Sequence, residues 1–139
     1  MGENGVVSVG NAGPAGVRSP DDLPFGIDLD LSGRRAVVHV TGALDMATSP
    51  SLRDALEPLW DAVREGCVIL NLATMTFCDS TGVGTLIAAF KECREREARL
   101  LLAAVPLFLL RMLRTTQLIA LFETHTTLEE ALAASAGRA

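Results

Sequence analysis

Thr76-Phe77-Cys78-Asp79-Ser80-Thr81-Gly82-Val83-Gly84 is the stretch on which the reading of this chain turns. It follows Cys67 to Leu72, a short apolar run suited to a strand buried on both faces. It leads into Val83, Leu86, Ile87 and Phe90, spaced as the apolar side of an amphipathic helix whose outer face is the charged run Lys91 to Glu97. A strand and its loop therefore hand over to a helix here, with Asp79 or Ser80 placed to cap it. Gly82 and Gly84 in the first turn each sacrifice up to ~1 kcal/mol relative to alanine. That cost argues that something approaches the backbone closely and that the segment is built for contact.

Working outward, Phe25 to Leu31 alternates apolar and polar residues, and Ser32-Gly33 marks a turn into valine-rich Ala36 to Val40, which predicts a hairpin. Ser49-Pro50 supplies a cap and a proline at the first helical position. Leu52, Leu56, Leu59 and Val63 then recur at helical spacing up to Gly66, with Pro58 expected to kink the helix. Leu100 to Ala104 reads as another buried strand, Leu107 to Leu113 as a short helix, and Leu121 to Thr124 as a last strand. Thr126 with Glu129 resembles a capping box opening a C-terminal helix through Leu132. The alternation predicts an α/β domain over residues 24–135: a mixed sheet of four to five strands with helices packed on it and an antiparallel hairpin on the N-terminal side. Residues 1–23, rich in Gly, Asn, Ser and Pro, read as a disordered tail, and 136–139 as a short C-terminal one.

With 139 residues, 49% of them hydrophobic, the chain can bury one core. A net charge of -5 argues against nucleic acid or an anionic membrane as partner, since either rewards a clustered basic face, and leaves a protein partner open. The most apolar region, Leu100 to Leu113, is interrupted by Pro106 and too short to span a bilayer. Cys67, Cys78 and Cys93 form an odd set without C-x-x-C spacing, which fits free thiols in the cytoplasm and predicts neither disulfide nor metal. No G-x-S-x-G elbow, phosphate loop or H-E-x-x-H helix is present. His39 and His125 read as ordinary strand or loop residues. Cys78 reads as a small buried hydrophobe, poorly placed beside Asp79 to become a thiolate. No catalytic residue, cofactor or enzymatic activity is expected.

Asp79-Ser80-Thr81-Gly82-Val83-Gly84 resembles the D-S-[ST]-G-[LVI]-G signature of STAS domains in anti-sigma-factor antagonists. Gly42-Ala43-Leu44-Asp45 is similar to the G-E-[LI]-D loop of that family, Arg99 to Ala104 to its following strand, and Thr127-Leu128-Glu129-Glu130-Ala131-Leu132 to the opening of its last helix. The resemblance covers Phe25 to Ala134. The family often has Asp where Asn71 stands, Glu where Ala43 stands, and Gly where Gln117 stands, a position suited to ending a helix with positive φ.

The resemblance implies a STAS fold and a switch. Ser80 is then the residue phosphorylated by a partner that is both anti-sigma factor and serine kinase, and a serine phosphatase reverses the modification. Asp45, Asp79, Ser80, Thr81, Gly82 and Gly84 form the partner-binding surface. The unphosphorylated protein, a monomer or weak dimer, binds the anti-sigma factor and frees the sigma factor. The alternative is an unphosphorylated STAS interaction or small-ligand-sensing module, against which the retained Asp79-Ser80-Thr81 weighs.

Overall fold

Alternating apolar residues build the hairpin strands, continuous apolar runs build the central strands, and helical periods build most of what lies between them. The computed structural model describes residues 5–10 and 23–136. In chain order the elements are β1 (Gly5–Gly10), β2 (Gly26–Ser32), β3 (Arg35–Leu44), α1 (Ser49–Leu56), β4 (Cys67–Asn71), β5 (Met75–Cys78), α2 (Ser80–Glu95), β6 (Arg99–Ala103), α3 (Leu107–Thr115), β7 (Glu123–His125) and α4 (Leu128–Ala136).

The sheet runs β1-β2-β3-β4-β6-β7, with β5 paired to β3 off this path. The β1-β2-β3 portion is antiparallel and β3-β4-β6-β7 is parallel, so the α/β class and the N-terminal hairpin stand as expected. At seven strands the sheet is wider than the four to five expected, and both additions have a physical cause. Gly5–Gly10 lies within the segment read as a disordered tail, yet it pairs with β2. That edge offers unpaired backbone groups, and β-branched Val6, Val7 and Val9 suit an extended chain. The rest of the expected tails, residues 1–4, 11–22 and 137–139, lies outside the described residues. The second addition, β5, pairs with β3 beyond His39, where β4 has ended at Asn71 and left Gly42 to Leu44 an open edge.

One face of the sheet, including Ile27, Val38, Val40, Leu70 and Leu102, is buried against α1, α2 and α3, with Leu52, Leu86 and Leu109 among the helix contributions. Such side chains each stabilise the fold by about 1.5–3 kcal/mol when fully buried. The other face buries Val37, Ile69, Leu101 and Ala103 against α4 through Ala131.

Helix boundaries shift from expectation for local reasons. Thr48, not Ser49, occupies the N-cap of α1, and the helix stops at Leu56. Pro58 lies in a 3-10 turn, Glu57–Leu59, because proline removes an N–H and clashes with the preceding turn; the expected kink is a stop. Gln117, after α3, has φ +64° and closes that segment in the left-handed conformation anticipated for its position. A 3-10 turn over Leu118–Leu121 then delays the last strand to Glu123. Thr127 rather than Thr126 caps α4: its hydroxyl accepts the Glu130 N–H at 3.0 Å, while Glu130 Oε1 accepts the Thr126 N–H at 3.2 Å. The box is therefore one residue later than Thr126 with Glu129. Among the described residues no helix is long and apolar enough to cross a membrane.

Candidate functional site

Strands β3 and β5 end side by side. Leu44 is in register with Cys78, and the Asp79 N–H donates to the Leu44 carbonyl at 3.2 Å. Whatever follows each strand is thereby held against its neighbour: the Asp45 turn after β3 and the start of α2 after β5.

Asp45 shapes its own turn. Its Oδ1 accepts the N–H groups of Ala47 at 2.9 Å and Thr48 at 3.1 Å. The buried Thr48 hydroxyl donates to the Ala43 carbonyl at 2.7 Å and accepts the Asp45 N–H at 2.9 Å, closing the loop. Asp79 is the N-cap of α2, with φ -96°, ψ -172° and Oδ1 accepting the Gly82 N–H at 2.8 Å. Ser80 is therefore the first helical residue and not the cap, and both Ser80 and Thr81 are exposed. The first-turn N–H groups of a helix lack intrahelical acceptors, so a negative group on Ser80 would meet free donors and the positive end of the dipole.

Gly82 is buried, and a Cβ there would collide with the Leu44 carbonyl oxygen and stand 2.7 Å from Cys78 Sγ. The close approach that its presence suggested is made by the protein's own chain. Gly82 packs against the end of β3, while Gly84 has nothing within 4 Å of where its Cβ would be. Below them Cys78 is buried and its thiol is pushed up to about 12, chiefly by burial and further by the charge of Asp79, so it stays protonated at neutral pH.

The structure adds residues that periodicity did not reveal. Met46 is 75% exposed and Phe77 51% exposed, one directly after Asp45 and the other in β5 just ahead of Asp79. Leu107 and Phe108, exposed at the start of α3, lie at the same pole, beyond the end of β6. Exposed large apolar side chains grouped around a polar site mark contact surfaces. The only signal for Met46 was an apolar residue where no helical or strand period calls for one; Phe77 needed the unexpected β5. The histidines are paired within the sheet: His39 Nδ1 is 2.9 Å from Asn71 Nδ2, and His125 Nε2 is 2.9 Å from Glu123 Oε2.

A family model for the STAS domain matches residues 27–131, which include the Asp45 turn and the whole of α2. The chain belongs to the STAS domain family. Among curated STAS relatives, the anti-sigma-B factor antagonist of Listeria monocytogenes serovar 1/2a is 34% identical over 87 residues, 62% of this chain and 75% of that protein. Among solved structures, the anti-sigma factor antagonist SpoIIAA in its unphosphorylated form has a TM-score of 0.66 at 21% identity, covering 81% of this chain and 99% of that one. The Bacillus cell fate determinant SpoIIAA in the phosphorylated form has a TM-score of 0.63 at 22% identity, covering 77% and 96%. At those identities the likeness is one of fold. In this STAS domain the residues matching the family's signature hexad form the cap and first turns of α2, and those matching its earlier loop form the end of β3 and the Asp45 turn.

Proposed function

We propose that this STAS domain is an anti-sigma-factor antagonist controlled by phosphate on Ser80. Unphosphorylated, it binds an anti-sigma factor that is also a serine kinase and so frees the sigma factor. Phosphorylation of Ser80 by that partner switches it off, and a serine phosphatase restores it. The observation that carries this reading is the exposed Ser80 at the start of α2, with Asp45 and Asp79 beside it and exposed Met46 and Phe77 flanking it. The names of the relatives, including one solved in both phosphorylation states, support it.

The electrostatics give the switch its sign. A phosphoserine adds about -1.5 to -2 charges to a surface already holding two carboxylates and required to lose water on binding. A unit charge facing a like charge at ~6 Å costs on the order of 2–3 kcal/mol at an effective dielectric near 20, a tenfold to hundredfold loss of affinity. The helix end itself tolerates phosphate, so the fold persists. Because Asp79 is the cap, Ser80→Ala removes the acceptor hydroxyl without removing the cap.

Incubation with candidate anti-sigma kinases and ATP, followed by intact-mass measurement and calorimetric titration, tests the reading. Unmodified protein and Ser80→Ala should bind the partner, and phosphorylated protein and Ser80→Asp should bind at least about tenfold more weakly. Phosphate located on Thr81, or equal affinity of the modified and unmodified proteins, would refute it and leave the unphosphorylated interaction module.

A further inference from the structure

At the pole opposite Ser80, where β3, β4 and β6 begin, an open pocket of about 380 Å³ is lined by Arg34, Arg35, Glu65, Cys67, Arg99 and Ser135 among others. From Arg35 to Leu44, β3 climbs roughly 30 Å at ~3.3 Å per residue, so this pocket is remote from the site described above. Three guanidinium groups converge on it in a chain of net charge -5.

The three are not equally occupied. Arg99 is committed: Nη2 and Nε donate to the Glu123 carboxylate at 2.6 and 3.3 Å, and Nη1 donates to the Ala134 carbonyl at 3.1 Å. Arg35 makes a single long bond from Nη1 to Ser135 Oγ at 3.4 Å. Arg34 meets Glu65 at 3.3 Å, in a pair whose side chains are 67% and 60% exposed and therefore screened by water. Each guanidinium carries five N–H donors, so Arg34 and Arg35 keep most of theirs unspent at the pocket.

The walls are fixed by backbone. Gly66 is pressed onto Arg34 so closely that a Cβ there would collide with the Arg34 carbonyl oxygen and stand 2.6 Å from the Arg34 Cβ. The Cys67 N–H donates to that same carbonyl at 3.0 Å, and the Arg99 N–H donates to the Gly66 carbonyl at 2.9 Å. Glu65, just before the glycine, is held at φ +62°, a conformation costly for any residue with a Cβ and maintained only where its surroundings impose it.

We infer that this pocket binds a small organic phosphate, whose dianionic group is gripped by Arg34 and Arg35, while the Ser135 hydroxyl, donating to the Leu132 carbonyl at 2.8 Å, steadies Arg35 as its acceptor. Guanidinium forks match phosphate oxygens two at a time, and once the water-screened Glu65 is displaced from Arg34 a dianion matches the charges of Arg34 and Arg35, where a monocarboxylate would leave one unmatched. The volume falls within the range of small-molecule sites and leaves room for the body of the ligand. Binding displaces the exposed Glu65 from Arg34 and leaves the Ser80 pole free.

The test is an amide NMR titration of the full chain with inorganic pyrophosphate, with matched ionic strength in chloride as the control and citrate as the carboxylate arm. Saturable shifts are expected at Arg34, Arg35, Gly66 and Ser135. The affinity should fall about tenfold or more in Arg35→Gln and in Arg34→Gln, the loss of a charge-assisted pair, and stay the same in Ser80→Ala. Arg34 is exposed, so its variant keeps the test valid if Arg35→Gln fails to fold. The inference is overturned by absence of saturable shifts at millimolar pyrophosphate, by shifts centred on the start of α2, by unchanged affinity in the arginine variants, or by citrate binding as tightly as pyrophosphate.

Discussion

Replacing Gly82 and Gly84 by alanine adds the same methyl group two residues apart in α2, and the structure assigns the two changes opposite signs. At Gly82 the new Cβ falls on the Leu44 carbonyl oxygen and 2.7 Å from Cys78 Sγ. That carbonyl also accepts the Asp79 N–H, so it cannot retreat without separating the end of β3 from the start of α2. Overpacking costs about 1–3 kcal/mol and a weakened hydrogen bond about 0.5–1.5 kcal/mol, against a gain of up to ~1 kcal/mol in helix propensity. The net is a destabilisation of roughly 2 kcal/mol. For a domain of this size that lowers Tm by about 8 °C. At Gly84 nothing lies within 4 Å of the Cβ, so only the propensity gain remains. Gly84→Ala should raise Tm by up to ~4 °C. Gly82→Leu should be worse than Gly82→Ala. Scanning calorimetry and urea unfolding of the variants measure these differences. A Gly82→Ala protein as stable as the parent, or a Gly84→Ala protein destabilised as much as Gly82→Ala, would refute the assignment of Gly82 to internal packing.

Other consequences are as direct. Asp45→Ala removes the acceptor for two backbone N–H groups in its turn and should cost about 1–2 kcal/mol, whereas Asp45→Asn keeps an acceptor oxygen and should cost clearly less in the same thermal unfolding experiment. The Cys78 and Cys93 thiols, both buried and each pushed up to about 12 with burial the leading cause, should react with a chromogenic disulfide reagent only on unfolding; rapid labelling of Cys78 in the native protein would contradict that burial. At Glu123, partial burial pushes the pKa up, but hydrogen bonds from His125 and Arg99 and their charges outweigh it and hold the carboxyl below its ordinary value. A depressed carboxylate stabilises the fold above its unfolded pKa and loses that contribution as pH falls through the folded one. The stability gap between the parent and Glu123→Gln should therefore be widest near neutral pH and close below about pH 4, as read by urea unfolding across that range.

Much of this protein is written locally. The alternation of Phe25 to Leu31, the apolar runs at Cys67 to Leu72 and Leu100 to Ala104, and the helical spacing of Val83, Leu86, Ile87 and Phe90 each state which side of a segment must leave water. The order of such segments is enough for the α/β class, the hairpin and the place of Asp79-Ser80-Thr81 at a strand-to-helix junction. The left-handed residue at Gln117 was legible too, as a position where a helix must end. What could not be read were contacts between residues far apart in the chain, which leave no period behind. The strand at Gly5–Gly10 exists because β2 has a free edge, and β5 because β3 outruns β4 by five residues, from Val40 to Leu44. The choice of Asp79 over Ser80 as cap, and of Thr127 over Thr126, rests on backbone angles set by how each helix docks. Gly82 invited a partner in the sequence and meets Leu44 in the fold. Arg34, Arg35 and Arg99 become neighbours only because parallel strands begin at one pole. Periodicity records the boundary between apolar and polar, a property of each segment alone, whereas edge pairing, close backbone approach and converging charge belong to pairs of segments and take form only when the sheet assembles.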